Sequence, residues 1–144
     1  MTIPNWMHLA LEEMGTAEVP GDADNPRILE YLHAGGIPVD SIEAEGDETP
    51  WCAAFVNFVL LHSGLQGTNH GAARSFTKYG TPATTKLGAI TVLWRGSPTG
   101  WQGHVGFLLD HDDLSVYLLG GNQRNRVSVA AYPVTRVLAH RWPT

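Results

Sequence analysis

The chain has 144 residues, 43% of them apolar, and a formal net charge of −5. That is enough for one domain (residues 1–144) with a sizeable core and no need of covalent staples. Its single cysteine, Cys52, excludes an internal disulfide framework and argues against a thiolate zinc cluster.

The charge is uneven. Residues 1–50 hold eleven acids against one base, Arg27, whereas residues 51–144 hold eight bases against three acids. No strongly basic patch interleaved with aromatics occurs, so a nucleic-acid partner is not expected. No run approaches the roughly 20 apolar residues that cross a bilayer, so stable membrane insertion is not expected either. The opening MTIPNWMHLALEEMGTAEVPG lacks the basic stretch and long apolar core of a secretory signal. The expectation is a protein made in the cytoplasm. A substrate outside the membrane would be reached by lysis-related release or dedicated export.

In chain order, Trp6, Leu9, Ala10 and Met14 recur near a 3.6-residue period, with Gly15 as the stop. DNPRILEYLHAGG then offers Asn25 as N-cap and Pro26 at the first helical position. Ile28, Leu29 and Leu32 form its buried stripe, and Gly35-Gly36 ends it. Residues 37–49 are acidic and aperiodic and read as a loop. Thr49 as N-cap and Pro50 at N1 start a third helix, which puts Cys52 at N3 and ends at Gly64. Its inward stripe is Cys52, Phe55, Val56, Val59 and Leu60. A shorter helix is predicted at about 70–79, capped from Asn69 or Thr68. After Gly80 come five β-rich runs: GAITVLW, GHVGFLLD, SVYLLGG, VSVAAY and VLAHRW. Helices first and strands later predict an α+β domain with a mostly antiparallel sheet of about five strands.

At a helix start, Cys52 meets unpaired amides and the positive end of the peptide dipoles, which favour a thiolate. An inert buried thiol fits the same position, because free cysteine is readily buried. Of seven histidines, His104 is best placed as a base, at the start of an apolar strand and among glycines. A sheet-edge cap is its bland alternative. His62 and His70 belong near the far end of the cysteine helix; His8, His33, His111 and His140 fit ordinary positions. If GHVGFLLD and SVYLLGGN form a hairpin pairing His111 with Ser115, His104 faces Asn122 on one side of the ladder. Asn122 is otherwise a common turn residue after Gly120-Gly121. Together Cys52, His104 and Asn122 make a thiol nucleophile, an imidazole base and its orienter, able to hydrolyse an amide through a thioester.

PWCAAFVNFVL, GHVGF and LLGGNQ resemble signatures of a small family within the NlpC-like and CHAP superfamily of papain-like cysteine peptidoglycan hydrolases. PNWMHLALEEMGTAEVPG, DNPRILEYL, GTNHGAARSF and HRWP extend the resemblance over nearly the whole chain. It implies a papain-like fold, with Cys52 at the start of a helix, His104 at the start of a strand and Asn122 as third polar residue. It implies cleavage of peptidoglycan amide bonds, either muramoyl-L-alanine or within stem and cross-link peptides, with no redox cofactor or catalytic metal. An exported toxin of this kind would also need an immunity protein, whereas a phage lysin would not.

Further residues are candidates around that site. Trp51 either walls the cleft or packs in the core. Arg74 meets a substrate carboxylate or pairs with the acidic first half. Trp101 and Gln102 form a substrate rim. Gln123 contacts substrate or orients the Asn122 loop, and Glu18 is a weaker cleft candidate. DADN at 22–25 lacks an EF-hand spacing and reads as helix capping, so no calcium is expected. Two other functions stay open: a non-catalytic cell-wall binding module using the five tryptophans, and a deamidase or transglutaminase acting on protein glutamines. Zinc catalysis is weaker, for want of a close-spaced ligand motif.

Overall fold

The computed structural model describes residues 3–18, 25–36 and 51–144. The predicted acidic loop, the caps Thr49 and Pro50, and Asp22 to Asp24 lie outside the described residues. Within them the architecture is α+β: three α-helices and a six-stranded sheet in which every pairing is antiparallel.

Helix α1 (Asn5–Glu12) buries Trp6, Met7 and Ala10. It stops before Met14, which is exposed rather than part of the stripe, and Gly15 turns the chain with φ +93°. Helix α2 (Pro26–Ala34) starts as its sequence dictates: the Asn25 side chain accepts from the Arg27 N–H at 2.9 Å. It buries Ile28, Tyr31 and Leu32, with Tyr31 taking the place expected of Leu29. Glu13 ties the two helices together, accepting from the Tyr31 hydroxyl at 2.7 Å and pairing with Arg27.

Helix α3 (Cys52–His62) is buried on all sides from Cys52 to Leu60, not along one stripe. It lies between α2 and the sheet, so both of its faces are covered. Tyr31 meets Phe55 and Phe58 edge-on at 5.2 and 4.8 Å, and Phe55 meets Phe107 of the sheet at 6.3 Å. Each such side chain contributes about 1.5–3 kcal/mol by leaving water, far more than the few tenths that helix propensity can add. No helix among the described residues is long and apolar enough to cross a membrane.

The sheet contains β1 (Thr81–Pro82), β2 (Ile90–Trp94), β3 (Gly103–His111), β4 (Ser115–Gly120), β5 (Ser128–Pro133) and β6 (Val137–Trp142). Their order is β1-β6-β2-β3-β4-β5. The sixth strand, β1, escapes sequence patterning because it is two residues long. Its proline is tolerable only because the strand is an edge. The helix predicted at 70–79 is only a 3₁₀ turn, Ala73–Phe76. There Ala73 and Phe76 are buried, while Ser75 bonds Thr68 and the Ala72 carbonyl.

The β3–β4 hairpin departs from its predicted register at the tip. Asp112 Oδ1 accepts from the N–H groups of Leu114 and Ser115, both at 2.8 Å, and this turn pairs His111 with Val116 rather than Ser115. A bulge between Leu108 and Asp110 absorbs the extra residue, so Phe107 pairs with Leu119 and Leu108 with Leu118. The predicted register therefore holds at the end of the hairpin nearer His104.

Candidate active site

Cys52 is the first residue of α3, with Trp51 as N-cap, rather than the third. The Trp51 carbonyl accepts the first helical bond, from Phe55 N–H at 3.0 Å. The Trp51 indole is fixed in the core, stacked on Tyr31 at 5.8 Å and donating to Glu18 Oε1 at 2.7 Å. At 1% exposure it is a foundation of the helix start, not a cleft wall. Glu18 serves as the acceptor that holds it.

Backbone pairing places the sulfur beside β3. Arg95 N–H bonds the Gln102 carbonyl, and Leu108 N–H bonds Ala89. Alternation along an antiparallel ladder then makes Val92–Val105 a non-hydrogen-bonded pair, so Val105 N–H points away from β2 toward β4. Pairing with β4 begins only at Phe107, and the Val105 N–H instead faces the Cys52 sulfur. Val105 immediately follows His104, so the backbone of the strand that carries the imidazole runs past the start of α3.

His104 is buried and wired on one side. Gln123 Nε2 donates to the carbonyls of Leu118 at 3.1 Å and Ser128 at 2.6 Å. Those acceptors fix the amide, leaving Oε1 to face His104 Nε2 at 2.9 Å. The Tyr132 hydroxyl donates to the same Oε1 at 3.1 Å and lies 3.2 Å from His104 Nε2. The network thus assigns the proton of neutral His104 to Nε2 and leaves Nδ1 with a lone pair. Gly120 is needed here: a Cβ would lie 2.8 Å from Gln123 Oε1 and 3.5 Å from His104 Nε2.

Gln123, not Asn122, therefore holds the distal ring nitrogen. Extending the hairpin register would put Asn122 opposite His104, but β4 ends at Gly120. Gly121 then packs so tightly on Trp51 and Phe55 that a Cβ would come within 2.8 Å of each. Asn122 turns the chain with φ +56°, and the next side chain returns beneath the imidazole. Asn122 still lines the hollow beside His104.

Burial pushes the Cys52 thiol above its ordinary range, against the N–H groups of Val105, Ala53 and Cys52 and the charge of Arg95. Burial likewise pulls His104 down to about 4; Gln123 opposes that fall, while Arg95 and Arg136 add to it. At rest both groups are therefore neutral, a thiol and an imidazole.

Two hollows have Arg95 in common in their walls, one lined by Cys52 and the other by His104. One, about 400 Å³, is lined by Cys52, Ala72, Gly103, Arg95, Trp101 and Gln102. The other, about 250 Å³, contains His104, Gln123 and Tyr132. Trp101 is 80% exposed at the rim of the first, where Gln102 also lies. Arg74 does not line either. Its guanidinium donates to the carbonyls of Gln102, Pro98 and Ser97 at 2.8, 2.9 and 2.7 Å, bracing the loop that carries the rim.

Tyr132 and Arg95 were not singled out by sequence patterning. Tyr132 reaches His104 from β5, two strands away, through a pairing that the sequence does not announce. Of the other histidines, His62 stacks on Phe58 at the far end of α3, His140 bonds Thr91, and His70 accepts from the N–H of Ala72, which lines the Cys52 hollow. Among the described residues, no group of three or more His, Cys, Asp or Glu is arranged to hold a metal. No protein-family model, curated protein or solved structure matches the chain.

Proposed function

We propose that this protein is a papain-like cysteine amidohydrolase that cleaves amide bonds of bacterial peptidoglycan, with Cys52 as nucleophile, His104 as base and Gln123 as orienter. The chemistry is supported by a thiol at the start of a helix and by an imidazole whose Nε2 is held by a buried amide. The choice of peptidoglycan rests on the sequence resemblance.

His104 Nδ1 takes the Cys52 proton as the sulfur attacks the substrate carbonyl carbon. The oxyanion that forms is stabilised by backbone N–H groups at the start of α3, where the helix leaves its first amides without intrahelical partners. The imidazolium then gives its proton to the departing amine, the C–N bond breaks, and a thioester remains. Water attacks that thioester with His104 again accepting the proton. Carboxylate is released, and the proton returns to the sulfur. Gln123 keeps the ring angle and tautomer through both halves.

Digestion of purified sacculi tests the reading. Mass analysis should show either free stem peptides with intact glycan, for a muramoyl-L-alanine amidase, or shortened and uncrosslinked muropeptides, for an endopeptidase. Cys52→Ala and His104→Ala should abolish both products. Sacculus binding without any bond cleavage would instead identify a wall-binding module. Ammonia release from protein glutamine with intact sacculi would identify a deamidase.

A further inference from the structure

The hollow beside His104 has a chemical character of its own. Three of its lining residues are Arg95, Arg124 and Arg136, and none is acidic. Among the described residues, the ion pairs present join Arg27 to Glu13 and Glu30, so these three arginines have no carboxylate partner there. Like charges repel one another, and the fold nevertheless holds these three around one cavity.

Their presentation is built rather than incidental. Arg136 Nε donates to the Trp94 carbonyl at 3.0 Å, and its guanidinium lies 5.5 Å from the centre of the Tyr132 ring. That fixes the plane of the group through one N–H and one ring face. Arg124 sits in a loop where Asn122, Arg124 and Asn125 all have left-handed backbones, at φ +56°, +57° and +61°. Arginine has no ordinary preference for that region, and such strain is concentrated where function requires a particular placement. Arg95 lines both hollows.

We infer that this arginine-lined hollow is a subsite for a free carboxylate carried by the substrate on one flank of the scissile amide, with Arg95 and Arg124 as specificity-determining residues. The location rests on the proposed hydrolase reading: a chain lying across Cys52 and His104 occupies the Trp101 hollow on one side and this one on the other. Guanidinium groups suit the role because their planar fork meets both carboxylate oxygens. A carboxylate seated there also screens His104 from Arg95 and Arg136, the cations that oppose its protonation during turnover.

The test uses the full chain as Cys52→Ala and a soluble disaccharide-peptide fragment of peptidoglycan in two forms, with free carboxylates and with those carboxylates amidated. Calorimetric titration should find the free acid bound about tenfold more tightly. The preference should shrink to within twofold in Cys52→Ala proteins that also carry Arg95→Gln and Arg124→Gln. Arg95→Lys with Arg124→Lys should restore part of it, which separates lost charge from a damaged loop. Equal binding of the two forms, no binding of either, or a preference that survives both glutamine replacements overturns the inference. Cleavage by the unaltered protein is scored separately. Equal binding of the two forms by Cys52→Ala, with cleavage by the unaltered protein intact, sinks only the subsite, whereas absent cleavage with the preference intact sinks only the hydrolase reading.

Discussion

Replacing Gln123 with alanine removes one buried amide and disturbs four side-chain hydrogen bonds at once. They are the contacts of Oε1 with His104 and Tyr132, and of Nε2 with the Leu118 and Ser128 carbonyls. At about 1 kcal/mol net for each, less whatever water regains in the vacated space, the fold should lose about 2–4 kcal/mol. For a chain of this size, that lowers the thermal midpoint by roughly 4–16 °C. The effect on turnover is separable from this. With the amide acceptor gone, only the mobile Tyr132 hydroxyl remains near Nε2, so the imidazole is freer to tilt and to place its proton on Nδ1, the nitrogen that must receive the thiol proton. A displacement of about 1 Å costs on the order of 100-fold in rate, so kcat should fall by about that factor with KM little changed. Assays run well below the lowered midpoint, with nitrogen NMR of the His104 ring alongside, read both quantities. Asn122→Ala, the contrasting variant, should keep turnover within about threefold. Asn122→Ala with the larger defect, or an unchanged His104 tautomer in Gln123→Ala, would refute the assignment of Gln123 as orienter.

Two further outcomes are expected. Because His104 falls from its ordinary 6.5 to about 4 on folding, the unfolded chain takes up its proton first as the pH drops. Stability should therefore decline between about pH 6.5 and pH 4, by up to about 3 kcal/mol from this group, and be insensitive to it above pH 7. Urea unfolding of the native protein and His104→Asn at pH 7, 5.5 and 4.5 isolates the contribution; parallel losses in both would contradict it. Arg74→Met should raise KM and speed amide exchange in the loop from Arg95 to Gln102 while leaving the His104 ring signals in place, because Arg74 braces the rim. An unchanged exchange rate would mean that the brace is dispensable.

Much of this was written in local chemistry. Asn25 followed by Pro26 favours a helix start, because the side chain satisfies an orphan N–H and the ring presets φ. Alternation and turn residues marked five of the six strands. Cys52 and His104 were legible for a related reason: one sits where an apolar helix begins, the other where an apolar strand does, and each start can be read within a few residues.

Gln123 and Arg74 were not legible in their observed roles. Which of Asn122 and Gln123 reaches the imidazole depends on where β4 leaves β3. That is fixed by Gly121 seated against Trp51 and Phe55, some 70 residues earlier in the chain. Arg74 was expected to meet a substrate carboxylate or the acidic first half; instead the loop between β2 and β3 turns three carbonyls toward it. Tyr132 arrives from a strand whose neighbours no short window specifies. The sequence by itself determined the kinds of groups available and the ends of the elements that carry them, since propensity, capping and periodicity act over a few residues. Only the tertiary structure decided which groups touch, because sheet order, a one-residue bulge and a single close glycine contact set distances between segments far apart in the chain.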